Sequence, residues 1–282
     1  MTTIFTNTYP APRYRGPLQA VVFDWAGTMV DFGSFAPTQV LIDAFAGFGI
    51  AVSLAEARLP MGLAKWDHIR ALGDQPGLSA RWRAKYGRAM RDADVDALYA
   101  AFLPLQVERV AQYSDPIPGA LDVLAELRAR HIKIGSCSGY PRVVMERLLA
   151  KARGDGLLVD HAVAADDLKA GGRPGPWMAL ANVVELGVGE LSACVKVDDT
   201  VPGIAEGLAA HMWSVGVAVS GNELGLGRAE LAALPADERA RRRALAVDKL
   251  AGAGAHYVID SIAELPRVLD LIEARLERGE QP

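Results

Sequence analysis

The chain has 282 residues, of which 51% are hydrophobic, and a formal net charge of −4 at pH 7. This length and composition allow a sizeable core and predict a globular enzyme, with one large domain or a domain that carries an insert. The basic residues are dispersed apart from the run 241–243, and this dispersal argues against a basic nucleic-acid-binding surface. No apolar segment approaches the length of a membrane span.

The first 16 residues contain prolines and polar residues without an apolar signal segment, so we expect a loose tail. Cys137 and Cys194 each lie in an apolar, strand-like run, which favours two buried free thiols over a disulfide or a metal pair. Free thiols are typical of a reducing compartment, and we expect the protein to be cytoplasmic.

Five short apolar runs, each followed by a glycine-marked turn and a helical pattern, predict parallel strands at 18–24, 132–137, 161–164, 193–198 and 212–217. This alternation predicts the α/β class, with a Rossmann-like parallel sheet and helices on both faces. A sixth short strand is expected at 257–259, before a helix over 263–278. The charged stretch 228–251 predicts a surface helix or a helix pair broken at Leu234-Pro235.

More than a hundred residues separate the first two predicted strands, too many for one crossover helix. The stretch 33–112 has helical spacing throughout, with helices predicted at 37–48, 54–59, 61–72, 79–91 and 94–112. We therefore predict an inserted all-helical cap at 33–112 and an α/β core made of 17–32 and 113–282.

The first predicted strand ends at Asp24 and is followed by the turn residues Gly27 and Thr28. A strand of this kind presents a carboxylate at the sheet edge, where α/β enzymes carry out their chemistry. The fourth strand ends in the paired acids Asp198 and Asp199. Both strand ends are candidates for a catalytic centre.

Two further motifs offer groups that bind anions. Ser138 and Gly139 end the second strand just before a helix with Pro141 at its expected first position, so they can bind an anion; a serine N-cap would use the same geometry. Arg173 lies in a loop fixed by prolines and glycines. An arginine there can neutralise a phosphoryl group, with Lys169 as the alternative cation.

The predicted cap contains Met61, Lys65 and His68 at spacings i, i+4 and i+7, which a helix would place on one face. Ser53 with Glu56 predicts a capping box for the preceding short helix, and Pro60 is expected to start the next one.

Along the chain, an apolar strand with Asp24 is followed by an inserted cap, a strand with a terminal hydroxyl, a cation and a strand with paired acids. This order resembles the haloacid dehalogenase superfamily. The resemblance implies that Asp24 attacks phosphorus and forms an aspartyl-phosphate. It also implies a bound Mg²⁺, held by Asp24, the backbone carbonyl of Ala26 and Asp199.

The resemblance leaves one question open in the superfamily's fourth motif, which in this chain is 197–203 with the paired acids Asp198 and Asp199. Many relatives have another acid four positions beyond the metal ligand, where this chain has Gly203. The roles of Asp198 and Asp199 at the metal are therefore open: Asp199 is the expected ligand, and Asp198 is a secondary ligand or lies outside the ligands.

Ala26 stands two residues after Asp24, where ester hydrolases of the superfamily have an acid that protonates a leaving oxygen. A carbon–phosphorus bond releases a carbanion instead, which needs an electron sink such as an iminium formed from a lysine and an aldehyde. The sequence 24–28, the cap motif 61–68 and the loop 173–177 together resemble the phosphonoacetaldehyde hydrolase family. This resemblance implies a Schiff base on Lys65 and a homodimer formed through the cap.

We therefore expect hydrolysis of phosphonoacetaldehyde to acetaldehyde and phosphate, with Lys65 made nucleophilic by a lowered pKa. His68 either moves protons at the amine or packs against the core face. Met61 and Trp66 are expected to shape the pocket. The alternatives are a capped sugar-phosphate phosphatase or phosphomutase, against which Ala26 argues, and a non-catalytic binding protein, against which the set of reactive residues argues.

Overall fold

Six parallel strands form one sheet in a computed structural model that describes residues 13–282. The strand order is β3-β2-β1-β4-β5-β6. The strands are β1 (Ala20–Phe23), β2 (Lys133–Ser138), β3 (His161–Ala164), β4 (Cys194–Asp198), β5 (Trp213–Val217) and β6 (Tyr257–Ile259). The predicted α/β class and parallel sheet are confirmed.

The centre of the sheet is β1, which pairs with β2 on one side and with β4 on the other. All four residues of β1 are buried, as expected of a strand covered on both faces. The chain order reverses direction at β1, and in parallel sheets such a switch point opens a crevice beside the carboxyl ends of the strands. The fold therefore places a crevice next to Asp24.

The first five α-helices follow β1: α1 (Phe35–Gly47), α2 (Leu54–Arg58), α3 (Lys65–Asp74), α4 (Pro76–Tyr86) and α5 (Asp92–Arg109). They share a hydrophobic cluster of their own, which includes the fully buried Phe45 and Phe102. The predicted insert of helices is present, and we refer to these five helices as the cap. Its limits at 33 and 112 stay a prediction.

The remaining helices surround the sheet. They are α6 (Ala120–Ala129), α7 (Arg142–Gly154), α8 (Trp177–Glu185), α9 (Val201–Ala209), α10 (Arg228–Ala233), α11 (Ala236–Gly252) and α12 (Leu265–Glu277). The predicted helix pair with its break at Leu234-Pro235 is confirmed by α10 and α11. Among the described residues, no helix is long and apolar enough to cross a membrane.

Two predicted helix starts in the cap are wrong. The helix expected from residue 61 begins at Lys65, because Gly62 has a left-handed backbone (φ 95°) that interrupts a helix. The helix expected from 79 begins at Pro76, a residue type that suits a first helical turn. The capping box of Ser53 and Glu56 is confirmed.

Residues 1–12 of the predicted tail lie outside the described residues. Further along, Tyr14 Oη donates to the Pro17 carbonyl oxygen at 2.7 Å, and Arg13 Nη1 donates to the Gly279 carbonyl oxygen at 3.4 Å. The last residues of the predicted tail therefore lie against the body of the protein. Both cysteines are buried and free.

Candidate active site

Three acids meet where the central strands end. Asp24 follows β1, and its backbone N–H donates to the Val197 carbonyl oxygen of β4 at 2.9 Å. Asp198 ends β4 and Asp199 follows it. Each of the three acids offers an oxygen within 4.8 Å of the others, and all three side chains are buried.

The proximity of these acids in a buried space changes how readily they ionise. Burial raises the pKa of Asp24 to about 6 against the opposing effect of Arg173, and the charge of Asp198 raises it further. Burial also raises the pKa of Asp199 well above its usual range, as do the charges of Asp24 and Asp198. The site therefore favours bound positive charge.

Arg173 supplies part of that charge. Its buried guanidinium donates from Nη2 to Asp24 Oδ1 at 2.7 Å and lies 3.1 Å from Asp198 Oδ2. Its Nε donates to Glu206 Oε2 at 2.8 Å. Lys169, the alternative cation of this loop, is exposed, so the structure favours Arg173 for this position.

Two buried charged residues of the site were not predicted. Lys196 on β4 is fully buried, with Nζ 2.6 Å from Asp198 Oδ2 and 3.6 Å from Glu206 Oε2. Glu206 on α9 is equally buried and accepts from the backbone N–H of Ala179 at 3.2 Å. A lysine inside an apolar strand was the available sequence signal, because buried charges require partners.

The structure distinguishes the two acids of the fourth motif. Both oxygens of Asp198 have partners: besides Lys196, Thr200 donates to Oδ1 from its backbone N–H at 3.0 Å and from Oγ1 at 2.7 Å. Asp199 Oδ2 accepts from the Asn222 backbone N–H at 2.7 Å, whereas its Oδ1 is buried with no hydrogen-bond partner in the described part of the chain.

A divalent metal fits this set of donors. Carboxylate oxygens are hard ligands of the kind that Mg²⁺ prefers. The buried Oδ1 of Asp199, which has no hydrogen-bond partner within residues 13–282, is available to such an ion. A Cβ on Gly203 would overlap the carboxylate of Asp198. Asp198 thus occupies the space that an acid at 203 would need.

The predicted anion-binding residues lie at the end of β2. Ser138 Oγ accepts from the Tyr140 backbone N–H at 3.2 Å. The helix that follows begins at Arg142 with Pro141 as its N-cap, so the alternative of a Ser138 N-cap is wrong, as is the first helical position expected for Pro141. Ser138 and Gly139 instead face the cavity beside the three acids.

The cap places Lys65 over the same cavity. Lys65 is 4% exposed, and its Nζ lies 3.9 Å from Met61 Sδ and 5.4 Å from the centroid of the Tyr140 ring. Burial lowers the pKa of Lys65 to about 8, although the nearby charge of Asp24 opposes this effect. Met61 precedes α3, so the single helical face predicted for Met61, Lys65 and His68 is wrong, yet the first two remain neighbours.

His68 lies one turn beyond Lys65 on α3 and is fully buried. Its Nε2 is 2.8 Å from the Ala57 carbonyl oxygen and therefore carries the proton, which leaves Nδ1 unprotonated and without a partner among the described residues. Burial and the charge of Lys65 hold the pKa of His68 well below its usual range. Trp66, expected in the pocket, instead donates to Asp96 at 2.7 Å.

The cap and the core enclose a cavity of about 20 Å³. It is lined by Asp24, Ala26, Ser34, Pro37, Met61, Gly62, Lys65, Ser138, Gly139, Tyr140, Arg173, Asp199 and Thr200. Of the residues predicted for the site, His68, Trp66 and Asp198 are not among them. A larger groove of about 660 Å³ on the surface beside α5 and α7 contains none of the predicted residues.

Comparison with known proteins agrees with this arrangement. Residues 18–211 match the model of the haloacid dehalogenase-like hydrolases. The chain belongs to this family. A relative from Salmonella typhimurium named phosphonoacetaldehyde hydrolase is 59% identical over 266 residues, which cover 94% of this chain and 99% of the relative. A relative of the same name from Klebsiella pneumoniae is 58% identical over the same length.

Solved structures of other proteins have the same fold. A phosphonoacetaldehyde hydrolase-like protein from Oleispira antarctica is 43% identical, covers both chains completely and has a TM-score of 0.93. A beta-phosphoglucomutase from Clostridium difficile is 18% identical over 92% of this chain, with a TM-score of 0.63, which shows the fold alone. The two resemblances inferred from the motifs are confirmed.

Proposed function

We propose that this chain hydrolyses the carbon–phosphorus bond of phosphonoacetaldehyde to acetaldehyde and phosphate. One observation carries the proposal: the buried amine of Lys65 and the carboxylate of Asp24 line the same small cavity, beside an alanine rather than an acid at position 26. The names of the relatives at 58–59% identity support the same substrate.

Lys65 begins the reaction in this mechanism. Its uncharged amine attacks the aldehyde carbon and forms an imine, with release of one water. The lowered pKa of about 8 keeps a useful fraction of the amine uncharged near neutral pH. Protonation of the imine nitrogen then makes it an electron sink for the neighbouring carbon.

Asp24 carries out the second step. Its carboxylate oxygen attacks phosphorus, the carbon–phosphorus bond breaks, and the bonding electron pair moves into a carbon–carbon double bond while the iminium nitrogen is neutralised. The products of this step are an enamine on Lys65 and an aspartyl-phosphate on Asp24. No proton is needed at the leaving carbon during bond cleavage, which accounts for Ala26.

Water completes the reaction. Protonation of the enamine carbon restores an imine, which one water hydrolyses to acetaldehyde and free Lys65. A second water hydrolyses the aspartyl-phosphate to phosphate. Because one water was released earlier, the balance is one phosphonoacetaldehyde and one water consumed for one acetaldehyde and one phosphate.

The core residues bind the phosphoryl group in this proposal. Arg173 offers guanidinium donors beside Asp24, and Ser138 and Gly139 offer a hydroxyl and a backbone N–H from the end of β2. We propose Mg²⁺ as the ion held by Asp24, the Ala26 carbonyl and Asp199; when bound, it neutralises charge on the phosphoryl oxygens.

The cap residues serve the imine. We propose that Nδ1 of His68 accepts a proton near the Lys65 amine, since this nitrogen is unprotonated and unpartnered among the described residues. Met61 packs against Lys65 and keeps water from the imine. A cavity of about 20 Å³ holds roughly one water, so we propose that the cap opens for the substrate and closes over the imine.

We also propose a cytoplasmic homodimer. The free buried thiols of Cys137 and Cys194 suit a reducing compartment. The dimer, formed through the cap, follows from the family resemblance.

Borohydride reduction in the presence of phosphonoacetaldehyde tests the mechanism. The expected result is a stable secondary amine on the peptide that contains Lys65, identified by mass spectrometry, with loss of the adduct and of phosphate release in Lys65→Arg. The exposed Lys169, changed to arginine, is the matched control and should leave both unchanged.

The absence of an adduct at Lys65, together with full activity of Lys65→Arg, would overturn the imine mechanism. Turnover of sugar phosphates by the purified protein, with none of the phosphonate, would instead establish the alternative of a capped phosphatase or phosphomutase.

A further inference from the structure

Arg58, at the end of α2 in the cap, reaches into the core. Its Nη1 donates to the Gly33 carbonyl oxygen at 2.8 Å and to Asn222 Oδ1 at 3.2 Å. The guanidinium carbon also lies 5.1 Å from the centroid of the Phe35 ring. One side chain of the cap therefore contacts both the segment that enters the cap and the loop that follows β5.

Asn222 connects this arginine to the acids of the candidate active site. Its Nδ2 donates back to the Arg58 carbonyl oxygen at 3.4 Å, so two hydrogen bonds join these residues. Its backbone N–H donates to Asp199 Oδ2 at 2.7 Å. Asn222 thus binds the cap with its side chain and Asp199 with its backbone.

The loop 221–225 is shaped to fit both neighbours. A Cβ on Gly221 would overlap the Cβ of Asp199, and a Cβ on Gly225 would lie 2.9 Å from the guanidinium carbon of Arg58. Gly225 also has a left-handed backbone (φ 67°), which disfavours other residues. The loop is therefore in close contact with Asp199 at one end and with Arg58 at the other.

We propose that Arg58 is a positioning residue that couples closure of the cap to the orientation of Asp199 through Asn222. With the cap closed, Arg58 holds the loop so that its N–H fixes Oδ2 of Asp199 and leaves Oδ1 free for a divalent cation. The inference rests on the proposed function in one respect, the assignment of Asp199 as a metal ligand.

Binding of Mn²⁺ alone to the substrate-free protein tests the coupling, with free Mn²⁺ measured by electron paramagnetic resonance. Arg58→Met keeps the apolar stem and removes the hydrogen bonds. We expect it to weaken Mn²⁺ binding roughly 5-fold to 10-fold, the effect of one lost hydrogen bond. Asn222→Ala should weaken it by at least as much, and the double variant should be no weaker than the more affected single variant, because both act through one connection.

The matched control is Arg81→Met. Arg81 is also a partly buried arginine of the cap, but its partner, Glu56 at 2.5 Å, lies in the cap as well. Its Mn²⁺ affinity should equal that of the parent protein. If Arg58→Met is too unstable to purify, Arg58→Lys keeps the charge without the planar fork and should show a smaller loss in the same direction.

Unchanged Mn²⁺ affinity in the Arg58 variants, or losses that multiply in the double variant, would overturn the coupling. Asp199→Asn must itself lose Mn²⁺ binding; normal binding would overturn both the ligand assignment and the coupling. Trapping of the substrate on Lys65 by borohydride is independent of these measurements, so a failed coupling is distinguishable from a failed mechanism.

Discussion

Arg173 Nη2 lies 2.7 Å from Asp24 Oδ1, so the proposed nucleophile and the proposed phosphoryl-binding cation form a buried ion pair. The Nε of the same guanidinium donates to Glu206. This second ion pair fixes the orientation of Arg173, so that its Nη2 stays beside Asp24. This geometry needs a planar group with several donors rather than a single charge.

Arg173→Lys is expected to lower kcat/KM for phosphonoacetaldehyde roughly 10-fold to 100-fold. A lysine ammonium carries its donors on one atom, so it does not reproduce the separate contacts of Nη2 with Asp24 and of Nε with Glu206. One charge-assisted hydrogen bond is worth about 1.5–3 kcal/mol. Steady-state assay of phosphate release measures the change. The exposed Arg147, changed to lysine, should have no effect. An unchanged kcat/KM in Arg173→Lys would show that the planar guanidinium is unnecessary.

Glu206→Gln should weaken both the fold and the binding of phosphate. The change removes one negative charge from a buried network that contains Arg173 and Lys196, and breaking a buried ion pair costs about 3–5 kcal/mol. Urea unfolding measures the stability, and product inhibition by inorganic phosphate measures the binding. Glu185→Gln on the exposed part of α8 is the control.

A role for Glu206 in packing alone predicts lower stability with unchanged inhibition by phosphate. A role in orienting Arg173 predicts weaker inhibition as well, because the guanidinium then loses the partner of its Nε. The two readouts together separate these cases.

The rate of imine trapping on Lys65 should rise with pH to about 8 and then level off. Only the uncharged amine attacks the aldehyde, and burial lowers the pKa of this amine to about 8. The uncharged fraction therefore grows as the pH rises through that value and is nearly complete above it. Borohydride trapping at a series of pH values provides the measurement. A rate that keeps rising towards pH 10 would indicate an ordinary exposed lysine.

The strand ends account for most of what the sequence could predict. Asp24, Ser138 and Asp198 follow or end apolar runs, and parallel strands bring their carboxyl ends to one edge, so the core half of the site follows from the pattern. The start of α3 could not be predicted from the pattern, because the helical spacing over 61–72 conceals the left-handed backbone of Gly62. Lys65 reaches the cavity all the same.

Charged contacts between distant segments account for what the sequence could not predict. Glu206 is 33 residues from Arg173, and Arg58 is 164 residues from Asn222. Each pair joins a helix to a loop and forms only in the three-dimensional fold, and Glu206, Arg58 and Asn222 belong to none of the motifs read from the sequence. An isolated charge in an apolar segment, such as Lys196, was the one local sign of this network.

Chelation should separate the two halves of the reaction. Without a divalent cation, the three clustered acids repel the anionic phosphonate, so phosphate release should cease and return with added Mg²⁺. Imine formation at Lys65 does not use the cation in this mechanism, so the borohydride adduct should still form, though more slowly because the substrate binds less well. Full phosphate release after exhaustive chelation would contradict the proposed cofactor.

Ala26→Asp tests why an alanine follows the nucleophile. An acid at 26 would supply the proton that an alkoxide needs on leaving, so hydrolysis of an alkyl phosphate such as glycerol phosphate should increase over the parent protein. Turnover of phosphonoacetaldehyde should fall, because the added carboxyl group intrudes on a cavity of about 20 Å³ that Asp24 and Lys65 share.

Ala26→Asn has nearly the same shape without a proton to donate. It should lose phosphonate turnover to a similar extent and gain no ester hydrolysis. Equal ester hydrolysis by the two variants would show that the shape of residue 26, rather than its acidity, sets the preference for the leaving group.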